Sequence, residues 1–402
     1  MRLKQLTLAD FRNFRFDPAS SQVGQQLEFG QRFTVLWGHN GAGKTNILEA
    51  LYLLSTLRSF RTSDLKAMLR RGCDHARVEI EAFDAELGLT RKLEVRIDRG
   101  ARSTRRSARL DGKLVRSAVD FYGHVRAVLF TPEDLGILRG SPGGRRQFID
   151  RVLFARERAH IADVQAYEKL LRSRNRVLKT EPEDLPRAER TRLLDTYDQS
   201  LSTVGARLWS RRASLVEELR EPFSDSFRQI HAQDELASGS FESGLRYRSQ
   251  VEGHAGPVPV DAPVSARERS LAEVLRSQRG RDEAARRTTV GPHLDDLEVT
   301  LDGSAAGDFA SQGQSRALIL AFKIAELRAA RELTGRAPLL LLDDVSSELD
   351  PIRSARLFEA LAQEVGQCVL TTTAARHIEL GQDIERRDVE LRDGQIVGVS
   401  GS

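Results

Sequence analysis

The chain has 402 residues, 30% charged and 40% hydrophobic, an ordinary soluble balance with length for two or three domains; its net charge of +4 is too small to identify a polyanion partner by itself. Cys73 and Cys368 stand far apart, which excludes a disulfide framework and a cysteine-based zinc site and suits a reducing cytosol. No apolar run approaches the ~18 residues of a membrane span, and MRLKQLTLADF lacks the apolar core of a secretory signal, so a cytoplasmic protein with no membrane partner is expected.

RFTVLW (32–37) is a β-rich run ending in glycine, and KTNILEALYLLSTLR (44–58) is a helix with Ile47, Leu51 and Leu54 on one stripe and Leu48 and Ala50 beside it. LEVRI (93–97) alternates like a half-buried strand, and LDGKLV (110–115) has the Asp-Gly turn of a hairpin. Residues 91–116 carry ten Lys/Arg against three acids. That segment is either a solvated hairpin or a surface facing phosphates, in which Arg102, Arg105 and Arg106 are the candidate phosphate contacts.

From 141 to 231 the pattern turns helical and charge-rich. Ser141-Pro142 reads as an N-cap with proline at the first helical position, and EPEDLP (181–186) divides two long helical stretches. Residues 236–265, rich in Gly, Ser and Pro, read as a connection. The last third returns to α/β. APLLLLDDV (337–345) is an apolar strand ending in acids, Asp350-Pro351 caps a helix ending near Gly366, and CVLTTT (368–373) is a further strand. The order predicts an α/β fold with one discontinuous head and an inserted helical arm. Its parts are 1–140, an arm at 141–285, and 286–402.

GHNGAGKT fits the phosphate-loop pattern, running Gly38, His39, Asn40, Gly41, Ala42, Gly43, Lys44, Thr45 between a strand and a helix. Its glycines let backbone N–H groups close around phosphates, Lys44 reaches the β- and γ-phosphates, and Thr45 Oγ binds Mg²⁺. LLLLDDVSSELD (339–350) adds two carboxylates at the end of a buried strand. Asp343 can hold the Mg²⁺ shell, leaving Asp344 to orient or deprotonate the attacking water. ATP and Mg²⁺ are therefore the expected ligands. Lys44 and Asp343 lie 299 positions apart (343 − 44), far beyond a compact kinase or GTPase.

The order of P-loop, the octet FASQGQSR (309–316), the acidic strand and SELD resembles the ABC-type ATPases. In that class the octet is the signature motif, so the resemblance implies that Ser311, Gln312, Gly313 and Gln314 face the γ-phosphate of a second subunit's ATP. It also places Asp350 and Thr373, where transporter ATPases carry a switch histidine, at the nucleotide. Thr131 or Glu133 stands nearest the place of the transporter Q-loop glutamine.

Within that class, TPEDLGILRGSPGGRRQFID (131–150) and LLDDVSSELDPIRSARL (341–357) resemble the two hallmarks of the RecF family. FRNF, LRSFRT (57–62), SRN (173–175), GPHLDD (291–296) and TTT (371–373) are similar to further RecF segments, with Leu294 where the family usually has arginine. The resemblance implies an SMC-like head with a short arm and a weak, DNA-dependent ATPase. It implies an ATP-dependent homodimer on double-stranded DNA at gaps, acting with RecR and RecO so that RecA loads on single strands. Arg12 and Asn13 match positions near the nucleotide in related heads. Two other readings compete: a nucleotide-binding subunit of a transport complex, and a switch that scaffolds partners without hydrolysis. The long arm and the TTT strand end argue against the first, and Asp344 against the second.

Overall fold

A computed structural model describes residues 1–16, 24–85, 87–181, 183–231, 241–335, 337–344, 364–378, 380 and 384–401. In chain order the strands and helices are β1 (Arg2–Ala9), β2 (Gln25–Glu28), β3 (Phe33–Trp37), α1 (Lys44–Thr56), β4 (His75–Asp84), β5 (Leu89–Arg99), β6 (Thr104–Leu110), β7 (Lys113–Leu114), α2 (Ala118–Phe121), β8 (Ala127–Phe130) and α3 (Pro132–Leu135). Then come α4 (Pro142–Arg156), α5 (Arg158–Lys179), α6 (Arg187–His231), β9 (Ser243–Arg248), α7 (Glu252–Ala255), α8 (Val264–Ser277) and α9 (Arg279–Ala285). The chain continues with β10 (Asp296–Leu301), β11 (Ser304–Ala305), α10 (Ala306–Phe309), α11 (Gln312–Thr334), β12 (Leu339–Leu342), β13 (Gln367–Thr372), β14 (Arg386–Arg392) and β15 (Gln395–Gly401). Two compact units result, Met1–Asp134 with Glu326–Ser402, and Leu135–Ala325.

The first unit contains two six-stranded sheets. One has the order β2-β1-β4-β5-β6-β7, and its β4–β5 and β5–β6 pairs are antiparallel. The other runs β15-β14-β3-β13-β12-β8, with β14, β3, β13, β12 and β8 parallel. Leu339 to Leu342 of β12 are buried, as a parallel strand covered on both faces requires. Helix α1 contacts β4 and β5 of one sheet and β8 and β13 of the other. It is consequently buried all round from Ile47 to Thr56, wider than the stripe of Ile47, Leu51 and Leu54 with Leu48 and Ala50 beside it that the sequence predicts. Asp111 (φ 50°) and Gly112 (φ 79°) form the tight turn between β6 and β7, the left-handed pair that the Asp-Gly signal predicts.

The second unit packs α5 along α6 and α6 against α8. Ser141 caps α4 by accepting from the Gly144 N–H, with Pro142 at the helix start, as the sequence implies. Within 236–265, residues 243–248 form β9, which pairs with β10 in a three-stranded sheet ordered β11-β10-β9, so this part is more than a connection and the unit is not wholly helical. Alternation along β9 was hidden by its glycine and by arginines whose charged ends reach solvent.

Buried charges tie this unit together. Arg212 of α6 forms a bidentate pair with Asp150 of α4, which also bonds His160, and Arg212 donates to the Pro292 carbonyl. Arg174 of α5 reaches Asp198 of α6 and Asp282 of α9. Arg145 grips Asp296, and Arg146 donates to the Asp295 carbonyl. The RRQFID and GPHLDD segments thus hold each other, while SRN ties α5 to α6 and α9.

Candidate nucleotide site

In the parallel sheet of the first unit, β13 lies between β3 and β12. The P-loop follows β3 and the acids follow β12, so both open at carboxyl ends of strands, where open α/β sheets bind ligands. Gly38, Gly41 and Gly43 have φ of 148°, 86° and 113°, and a Cβ at Gly38 would sit 2.2 Å from the Leu391 carbonyl oxygen. Only glycine fits that close approach. Lys44 is buried and donates to the carbonyls of Gly38 (2.6 Å) and His39 (3.0 Å). Burial lowers its pKa, while Asp344 and Asp343 pull it back up. His39, Asn40 and Gly41 are exposed and Ala42 is buried.

Thr45 Oγ1 donates to Asp343 Oδ1 at 2.9 Å, so the fold joins the two residues read as ion ligands. The same oxygen accepts from Thr371 Oγ1 at 2.8 Å, and Thr371 Oγ1 in turn accepts from the Asp344 N–H. Burial raises the Asp343 pKa, against the hydrogen bonds from Thr371 and Thr45, with Glu133 and Asp344 adding to the rise. A hydroxyl and one carboxylate are hard oxygen donors, fitting Mg²⁺ whose other ligands are phosphate and water. Among the described residues no group of three or more His, Cys, Asp or Glu forms a protein-only metal site.

Sequence reasoning singled out Thr373, which is exposed and lies 3.4 Å from His377 Nδ1. It missed Thr371, which touches the acids. The signal is register: Leu342 pairs with Leu370, so the next residues, Asp343 and Thr371, emerge side by side. Asp350 lies outside the described residues.

Arg12 and Asn13 support the P-loop from the protein side. Arg12 (φ 56°) makes a bidentate pair with Glu49 of α1, which is fully buried, and donates to the Ala67 carbonyl. Ser59 donates to Glu49, and Arg61 donates to Asn46, so LRSFRT folds back onto α1. Asn13 donates to the carbonyls of Gly41 and Ala42 and accepts from Asn46. Holding those carbonyls turns the N–H of the same peptides the opposite way. Glu49, the hub of this cluster, was hidden among the apolar residues of α1.

The octet belongs to the second unit. Ser311 Oγ accepts from the Gln314 N–H (3.2 Å), and Gln314 Oε1 accepts from the Ser311 N–H (2.8 Å), a reciprocal capping box. Capping therefore explains two of its polar residues; Gln312 and Gly313 occupy the first turn of α11.

The basic segment does not form one patch. Arg91, Lys92, Arg96, Arg99 and Arg109 are ion-paired with Asp111, Glu81, Glu94, Asp74 and Glu94 respectively. Arg105 pairs across the strands with Asp98 and Arg106 with Ile97, so adjacent side chains take opposite faces. Arg102 and Arg105 are exposed, whereas Arg106 is partly buried; burial lowers its pKa, opposed by Tyr122 and reinforced by Arg58. No helix among the described residues is long and apolar enough to cross a membrane.

A family model described as the RecF/RecN/SMC N terminal domain matches residues 2–389. DNA replication and repair protein RecF of Myxococcus xanthus (strain DK1622) is 40% identical over 373 residues, covering 93% of this chain and 91% of that protein. The protein of the same name from Synechococcus sp. (strain JA-2-3B'a(2-13)) is 35% identical over 396 residues, covering 98% of this chain and 97% of that one. A solved structure of the recombination mediator protein RecF-ATP in the RecFOR pathway superposes with a TM-score of 0.82 at 27% identity, covering 100% of this chain and 97% of that chain. An SMC head bound to the C-winged helix domain of ScpA shares the fold, with a TM-score of 0.53 at 16% identity. The chain belongs to the RecF family, and its fold is that of the RecF and SMC ABC-type ATPase heads.

Proposed function

We propose that this protein is a DNA replication and repair ATPase of the RecF type, which binds ATP, closes as a homodimer on duplex DNA at gaps, and reopens after slow, DNA-dependent hydrolysis. The observation that carries the reading is the 2.9 Å contact between Thr45 and Asp343, which joins the P-loop to an acidic strand end across 298 positions. The relatives' names and the ATP-bound RecF structure support it. In this reading residues 1–140 and 286–402 act as the nucleotide-handling head and 141–285 as the arm.

The P-loop N–H groups and Lys44 hold the phosphates, Lys44 exchanging the carbonyls of Gly38 and His39 for phosphate oxygens. Thr45 and Asp343 would hold Mg²⁺, which neutralises charge on the β- and γ-phosphates. Asp344 orients the attacking water and takes its proton as ADP leaves. Arg12 and Asn13 act at the nucleotide by fixing the loop. Ser311, Gln312, Gly313 and Gln314 serve the second subunit's ATP, with Asp350 and Thr373 completing the site. Exposed Arg102 and Arg105, and to a smaller extent Arg106, meet DNA phosphates. RecR is the direct protein partner, with RecO and RecA in the same pathway, in the cytoplasm.

Sizing with and without ATP and duplex DNA, together with two variants, tests the reading. Lys44→Ala should abolish tight ATP binding. Asp344→Asn should bind ATP, fail to release phosphate and accumulate as a dimer. Equal loss of ATP binding in both variants would overturn the division of roles.

A further inference from the structure

The octet does not hold its own position. Ala306 and Ala310 are buried, and between them Gly307 packs so closely on the loop before α4 that a Cβ there would stand 2.3 Å from the Leu138 carbonyl oxygen. Arg139 Nη2 donates to the carbonyl of Ala310, the residue directly before Ser311, at 2.9 Å. The supporting loop is itself fixed, because Arg145 donates to the Gly140 carbonyl at 2.7 Å and is locked to Asp296 by two further bonds. Beyond Ala310 the capping box takes over. Ser311 Oγ there acts as acceptor, which leaves its O–H proton to donate outward. Asp308 and Phe309, the latter 75% exposed, are the residues of 306–310 left facing solvent.

We propose that Arg139 is a positioning residue for the octet: through Ala310 it sets where Ser311 presents its hydroxyl, and so controls ATP-dependent association of two copies of this chain without touching nucleotide held by its own P-loop. This rests on the reading that the octet serves the second subunit's ATP. A guanidinium-to-carbonyl bond is charge-assisted, directional and made by a planar group, so it fixes the peptide's orientation as well as its place. In a two-fold dimer the substitution acts at both composite sites, and its effect is squared. A loss of about tenfold per site then becomes about a hundredfold in the dimer dissociation constant.

The test is sizing of the full chain with ATP, alone and in mixtures. Arg139→Ala should bind ATP as a monomer like the unmodified chain and dimerise about a hundredfold more weakly. Arg139→Lys, which keeps a donor and the charge, should recover part of the loss. Mixing Arg139→Ala with Lys44→Ala should restore association, because one composite site pairs an intact P-loop with an intact octet. Mixing Arg139→Ala with Ser311→Arg should restore nothing, since both are defective on the octet side. Gly307→Ala, which must push Ala306–Ala310 off Leu138, should behave as Arg139→Ala does, and it serves if the arginine variant does not fold.

Normal dimerisation of Arg139→Ala and Gly307→Ala, with Ser311→Arg defective, would overturn the positioning role and leave the two-subunit octet standing. Normal dimerisation of Ser311→Arg as well would remove the two-subunit reading itself. Loss of monomeric ATP binding in Arg139→Ala, or no rescue by Lys44→Ala where Ser311→Arg is rescued, would reduce the residue to a general structural part.

Discussion

Asp150→Asn should be among the most damaging isosteric changes in the second unit. Asp150 accepts from Arg212 Nε and Nη2 at 2.8 Å each and meets His160 Nε2 at 2.9 Å, and all three side chains are buried. Burial pushes the Asp150 carboxyl up, but Arg212 and His160 outweigh it and hold it well below the ordinary carboxylate range. The amide keeps the shape and deletes the charge, leaving the Arg212 guanidinium buried without its counter-ion. Breaking such a pair from one side costs about 3–5 kcal/mol. With a urea slope of about 2–3 kcal/mol per M, the unfolding midpoint of this unit should fall by roughly 1–2.5 M.

Because the folded pKa is depressed, the contribution is fully present above the unfolded value of about 3.9 and is lost only as pH falls through the lower folded one. The deficit of Asp150→Asn should therefore be the same at pH 7 and pH 8, above the range in which Asp295, the other carboxyl whose charge reaches Arg212, titrates. Adding Arg212→Met should return part of the loss, since a buried apolar pair replaces a buried lone charge. A midpoint shift below about 0.3 M, or a double variant as unstable as the sum of the singles, would refute the reasoning.

Duplex binding should weaken steeply with salt, and neutralising Arg102 and Arg105 should flatten the log–log slope by up to about 0.9 per lost phosphate contact. Arg106→Gln should change it less, because that side chain takes the inner face; an unchanged slope in the first variant would make the segment a solvated hairpin. Asp295 is raised to about 6, burial outweighing its bonds from Tyr247 and the Gln250 N–H. Its ionised form is disfavoured in the fold, so stability should decline by about 3 kcal/mol as pH rises from about 4 through about 6. Asp295→Asn should remove that decline, and parallel profiles for the two proteins over this range would show that Asp295 does not titrate there.

Local features were legible wherever one stretch of chain carries its own physics. The glycine spacing of 38–43 requires a backbone no other residue adopts, Ser141-Pro142 starts a helix by its own hydrogen bonding, and Asp111-Gly112 closes its own turn. The four leucines of β12 followed by two acids announce a buried strand with a polar mouth. What stayed hidden depends on partners distant in sequence. Thr371 acquires its place because β13 registers beside β12, and Glu49 is buried beside Arg12 and Ser59, which arrive from other segments. Adjacent Arg105 and Arg106 look alike in the sequence, yet strand pleating sends them to opposite faces and separates an exposed charge from one packed near Tyr122. The arginines and acids of RRQFID and GPHLDD have the composition of a binding surface. Only tertiary packing turns them inward, because buried charges persist where bidentate partners replace the water they lose.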